Sequence, residues 1–251
     1  MPEQEDNVQK TPDLPMFYKS ARPLDIENDE NLNVSSPDNF SFAANTNAIP
    51  VLVDEFPLAA SHYPIVFASG DMPVPAAVVG LKSDANLFID NEDQWLPGSY
   101  LPAYVRRYPF LLMDDEDQKQ YVLCIDETSD MLGEKGEYQL FKNGKPTSFT
   151  QNAMSFCASL RQQGEATDEF VKALKDYNLL MKNDAQIELP EGGKVQLAGF
   201  QVIDPKKFDL LPDNIYLSWR RKGWIGLIFA HLLSTHRWQS LVALHAMREQ
   251  S

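Results

Sequence analysis

The chain has 251 residues, 43% of them apolar, enough to bury a sizeable core in one large domain or two small intimate ones. Lys and Arg number 22 against 36 Asp and Glu, so the formal charge is −14. A field of that sign repels phosphate backbones and argues against a nucleic-acid partner.

The first fifteen residues, "MPEQEDNVQKTPDLP", read as a flexible acidic arm with little to bury. They lack the basic start and apolar run of a secretory signal, which points to the cytoplasm and leaves open export without a cleaved signal. "MFYKSARPLDI" is the first apolar segment, and Pro23 makes it an edge strand or extended stretch. The polar run 31–56 reads as loop with a short strand near Val51–Val53. From Tyr63 the texture becomes β, with strands expected at "PIVFAS", "AAVVGL", "NLFID" and "KQYVLCIDE". The continuous apolar centre of the last predicts burial on both faces. Asn143-Gly144 predicts a tight hairpin within "YQLFKNGKPTSF".

After Thr150 the spacing becomes helical. Met154, Cys157 and Leu160 form a stripe with Gly164 as a stop, and a second helix follows with Thr167 as its cap. The segment 185–204 alternates around Glu191-Gly192-Gly193 as a hairpin. A short turn or helix follows, then a break at Pro212, a helix ending near Gly223 and one long amphipathic helix from Trp224 to about Arg248. The run "GWIGLIFAHLLS" falls short of the ~20 residues that span a bilayer. Strands first, then helices with one hairpin, predict an α+β fold. Its parts are the arm 1–15, a mixed or antiparallel β-rich part 16–148 and a helical part 149–251 with the hairpin near 186–203. The two large parts are expected to pack as one compact unit. No repeat period is visible.

The segments "MFYKSARPL", "EFPLAASHYPIVF", "VVGLKSDANLFID", "YLPAYVRRYPF", "LCIDE", "LFKNGKPT", "LAGFQVID" and "GWIGLIFAHLLS" together resemble the bacterial SapC family, named for association with a paracrystalline surface layer. The resemblance runs from about Met16 to Leu244. It implies no catalytic residues. Members tend to be encoded near TonB-dependent receptors, cupin-like proteins and tryptophan-halogenase-like flavoproteins, which implies an accessory role in the uptake or modification of a nutrient or peptide.

Read from the residues themselves, the candidates for binding a ligand or partner centre on "YLPAYVRRYPFLL". Arg106 and Arg107 offer planar donor forks for a carboxylate or phosphate. They converge only if the segment is helical or turned, for which Pro102 and Pro109 leave room. The alternative is packing, with one arginine paired to Asp114 or Asp126 and stacked on Tyr104 or Tyr108. Trp95, in the polar turn "NEDQWLPGSY", is a hot-spot candidate if exposed. Asp126 and Glu127, at a strand end, suit acid and base roles or simple ion pairing. His231 shares a helical stripe with Trp224, Ile228 and Trp238, which points it to the core. His231 and His236 are five apart and do not share a face, so no zinc site is expected. His62 and His245 have no neighbouring ligand motif. No GxSxG, GxGxxG or GxxxxGK[ST] occurs, so no cofactor is implied. Cys124 and Cys157 lie in apolar settings and read as reduced buried thiols. Two function classes follow: an accessory binding module for a protein partner or small anionic ligand, or an enzyme or enzyme-accessory protein acting on a peptide or small anionic substrate.

Overall fold

The computed structural model describes residues 14–36, 39–115, 120–188 and 194–249. The acidic arm up to position 13 and the turn at Glu191-Gly192-Gly193 lie outside the described residues. The first half contains β1 (Ala21–Pro23), α1 (Ile26–Asp29), β2 (Asn33–Val34), β3 (Ala48–Pro50), α2 (Phe56–Ala59), β4 (Ile65–Ala68), β5 (Val74–Val78), α3 (Ala103–Arg106), β6 (Phe110–Asp115) and β7 (Gln120–Asp126). The second contains β8 (Leu132–Gly133), β9 (Tyr138–Gln139), β10 (Phe141–Lys142), β11 (Lys145–Pro146), α4 (Ser148–Asp176), β12 (Leu180–Glu188), β13 (Lys194–Ile203), α5 (Pro205–Asp209), α6 (Asp213–Arg221), α7 (Trp224–Ser234) and α8 (Arg237–Glu249).

The fold is α+β, and the named strand pairs are antiparallel. The largest sheet has the order β12-β13-β4-β5-β3. The late hairpin β12–β13 extends the early sheet through Phe200↔Ala68 and Gln201↔Phe67. The main core accordingly draws Phe56 and Phe67 from the β-rich part and Phe170, Leu174, Trp224 and Ile228 from the helical part.

A second sheet, β1-β7-β6, carries Pro23 on its edge strand, where a missing N–H costs no ladder bond. Its central strand is buried on both faces. Leu123 and Ile125 join Phe110 and Leu140, while Cys124 joins Tyr18, Tyr108 and Leu111. Asn143 (φ 53°) and Gly144 (φ 71°) turn the chain between β10 and β11 in the left-handed conformation their sequence favours.

Four expectations change. The strand expected at Val51–Val53 lies at Ala48–Pro50, because the Glu55 carboxylate accepts the Leu52 N–H (2.9 Å) and starts a 3-10 turn there. "NLFID" forms only a bridge between Ile89 and Trp95. The Asn86 side chain takes the Phe88 N–H, and the Asp90 side chain takes those of Glu92 and Gln94, replacing a ladder with local bonds.

Helix α4 runs 29 residues straight through Gly164. A helical glycine costs only about 1 kcal/mol, and buried Cys157 and Leu160 before it and Phe170 and Leu174 after it outweigh that. Thr147 caps this helix, while Thr167 sits inside it, donating to Gln163 O (2.8 Å) and accepting the Val53 N–H (3.1 Å). The long terminal helix is instead two, α7 and α8. At the break Ser234 Oγ donates to His231 O (2.6 Å) and Thr235 Oγ1 to Leu232 O (2.7 Å), side-chain bonds that compete with the helical ladder.

Candidate functional site

Prolines set the arginine segment. Pro102 caps the four-residue helix α3, and the chain leaves it through Tyr108 and a cis Pro109. Arg106 is the last helical residue and Arg107 the cap. Both therefore leave one turn, about 100° apart, rather than opposite faces of a strand.

They border one cavity of about 450 Å³. Its walls are Val105, Tyr108 and Phe110 from this segment, Phe40 and Phe42 from the preceding loop, Met131, Tyr138, and Phe149, Ala153, Phe156 and Cys157 along one side of α4. Phe42 stacks on Tyr108 with ring centroids 4.2 Å apart. A smaller cavity of about 350 Å³ adjoins, lined by Leu52, Glu55, Tyr104, Leu160 and Arg161. Arg107 and Cys157 line both.

The guanidinium groups rest on rings, not on carboxylates. Arg107 lies 4.1 Å from the Tyr104 ring centre and 5.5 Å from that of Tyr18. Arg106 lies 5.4 Å from Phe156 and 6.0 Å from Tyr100. Among the described residues no carboxylate is within ion-pair reach of either arginine, and Arg107 Nε is buried without a hydrogen-bond partner. The aromatic stacking expected of the packing alternative is present, while the pairing with Asp114 or Asp126 is not.

Asp126 is fully buried and satisfied elsewhere. It accepts the N–H groups of Lys19 (3.0 Å), Ser20 (3.1 Å) and Thr128 (3.1 Å), the Thr128 hydroxyl (2.8 Å) and the Tyr108 hydroxyl (3.3 Å). Burial alone would raise its pKa. These hydrogen bonds, led by the Lys19 N–H, more than offset that and hold it below the usual carboxylate value. Its neighbour Glu127 is exposed, takes the Ser20 hydroxyl (2.6 Å) and stands 3.3 Å from Arg22.

His231 is fully buried between α7 and the main sheet. Its Nε2 accepts the Ile203 N–H at 2.9 Å, while Nδ1 lies by the Ile65 backbone without a well-aligned partner. Trp95 is not an exposed hot spot. Only 9% of its surface is open, because the Ile89 bridge folds the polar turn back and lays the ring against Phe40 and Phe88. Arg106, His231 and Asp126 thus occupy three separate environments.

The cavity lining is mostly apolar and aromatic. Burial pushes the Cys157 thiol up to about 11, against a smaller opposing pull from Arg107, and raises Tyr108 as well. No lining carboxylate or imidazole is present among the described residues to exchange protons near neutrality. A group of three or more metal-ligating side chains is also absent among them.

A family model described as SapC matches residues 24–241. The chain belongs to the SapC family. No curated protein and no solved structure matches it. The matched SapC span contains the arginine segment, both cavities and helix α7.

Sequence reasoning did not find Tyr18, Phe42, Glu55, Phe156 or Arg161. The stripe read on α4 took in Met154, which is 46% exposed. The cavity instead faces Phe149, Ala153 and Phe156, at i, i+4 and i+7, a pattern present in the sequence but not assigned to a partner. Glu55 is held by the Leu52 and Ala103 N–H groups and the Tyr100 hydroxyl, a long-range arrangement with no local sequence sign.

Proposed function

We propose that this SapC-family protein is an accessory binding protein for a small anionic ligand with an apolar or aromatic body. One observation carries the reading: Arg106 and Arg107 border an aromatic cavity, and neither has a carboxylate partner among the described residues. In a chain of net charge −14, two such arginines mark where an anion is welcome. The apolar body fills the space between Phe42 and Phe156, and the charged group meets the guanidinium forks. The setting we propose is a surface-layer-linked or receptor-linked uptake system, as the family resemblance implies. The separation of Arg106, His231 and Asp126 supports binding over catalysis.

Calorimetric titration with 4-phenylbutyrate and its methyl ester tests this reading. The expected result is binding of the acid, at least tenfold weaker binding of the ester, and loss of that difference in Arg107→Gln and Arg106→Gln, since one charged hydrogen bond contributes about 1.5–3 kcal/mol. Equal affinity for acid and ester, or binding untouched by both substitutions, overturns it.

A further inference from the structure

Helix α7 is apolar all round. Trp224, Ile225, Ile228 and His231 face the core, yet its outer side carries Gly226, Phe229 and Leu233. Phe229 is 50% and Leu233 64% exposed. A helix of this kind is normally covered on both sides. Its outer side borders a groove against α2, lined by Pro57, Ala60 and Arg237. Phe208, buried, touches the rings of both Phe229 and Tyr216, so α5, α6 and α7 meet beneath the same surface. Leu58, Leu210 and Leu217 add exposed apolar tips from α2, the end of α5 and α6.

Cations bracket the apolar run: Arg220, Arg221 and Lys222 before α7, the last paired with Glu169 at 2.6 Å, and His236 and Arg237 after it. Among the described residues Arg220, Arg221 and Arg237 have no carboxylate within ion-pair reach. Between Pro205 and Glu249 seven Lys and Arg accompany three Asp and Glu, in a chain of net −14. The segment that carries α7 is therefore net basic in an otherwise acidic chain.

We infer that this face docks on an anionic lipid surface, with α7 lying in the interface plane. The helix is about 16 Å long, too short to span a bilayer, and no described helix is long and apolar enough to cross one. Apolar side chains flanked by cations are what an interfacial helix requires. A second copy would bring two basic rims together. An apolar segment seated in the groove would leave Arg220, Arg221 and Arg237 without an anionic partner, whereas an anionic lipid surface supplies one.

The test is flotation of the full chain with vesicles of phosphatidylcholine, alone or mixed with phosphatidylglycerol, at low and high salt. The expected result is partition onto the mixed vesicles that weakens with salt. Arg237→Gln weakens it about fivefold, the effect of one interfacial charge. Phe229→Glu weakens it at least tenfold, and Leu233→Glu, at a more exposed site, repeats the loss in a chain whose circular dichroism is unchanged. No partition onto the mixed vesicles overturns the inference. So does equal partition onto both vesicle types, or a concentration-dependent dimer that Leu233→Glu abolishes.

Discussion

His231 Nε2 accepts the backbone N–H of Ile203, the last residue of β13, at 2.9 Å. The β13–β4 register pairs Gln201 with Phe67, and its continuation would set Ile203 opposite Ile65. There α7 takes over: Ser234 Oγ accepts the Ile65 N–H at 3.0 Å. Two helix side chains thus satisfy two buried strand donors where the ladder opens. Burial pushes His231 down to about 4 from an ordinary 6.5. As pH falls below 6.5 the unfolded chain takes up a proton that the folded chain refuses. Stability present above pH 6.5 is therefore lost progressively toward pH 4, by about 3 kcal/mol in full. His62 is also depressed, by burial and then by nearby Arg237, and acts equally in wild type and variant. His231→Gln should unfold at a lower temperature at pH 7, by about 1–3 kcal/mol of stability. It should also show a flatter melting profile between pH 6.5 and 4, as followed by circular dichroism.

The helical wheel alone placed His231 inward, and the Asn143-Gly144 pair alone defined a hairpin, because both signals are local. The position of Trp95 was not legible. The residues before it are polar, and its cover comes from Phe88 and, more than fifty positions earlier, Phe40. The union of β13 with β4 was hidden for the same reason: alternation gives each strand two faces but does not name its neighbour. The cavity combines both problems. Arg106 and Arg107 stood out by composition, while its opposite wall, Phe149 to Cys157, carried a helical period that fits core packing equally well.

Asp126 binds the segment Lys19–Ser20 to the end of β7 and, through Tyr108, to the cavity wall. Asp126→Ala leaves three N–H groups that bond to this buried carboxylate without their acceptor and should cost about 3 kcal/mol or more. Thermal denaturation should register this as a fall of roughly 6 °C or more. Because the folded carboxyl titrates below its ordinary value, its contribution is full above that value and disappears as pH falls through the lowered one. Wild type should therefore lose part of its advantage over Asp126→Ala in strong acid. An unchanged gap between them would remove the charged network from the explanation.

Gly164 sits inside α4 with nothing within 4 Å of where a Cβ would stand. Its role is therefore neither a stop nor a close contact. Gly164→Ala should stabilise the protein by about 0.5–1 kcal/mol through the unfolded chain, raising the melting temperature by roughly 1–4 °C. Denaturant titration should show a raised midpoint with an unchanged slope.

Cys157 lies between the two cavities, where burial pushes its thiol up from 9.0 to about 11. The thiolate is the reacting form, so two units of pKa lower the reactive fraction about a hundredfold at neutral pH. Iodoacetamide should therefore modify Cys157 at least that much more slowly in the native protein than in urea, with mass spectrometry locating the adduct. Cys124, also raised by burial but lining neither cavity, serves as the internal comparison. If Arg107 lowered the Cys157 thiol more than burial raises it, alkylation of the wild-type protein would be fast at neutral pH. Burial is the larger effect here, so wild-type alkylation should be slow, and Arg107→Gln, which removes a charge favouring the thiolate, should make it slower still.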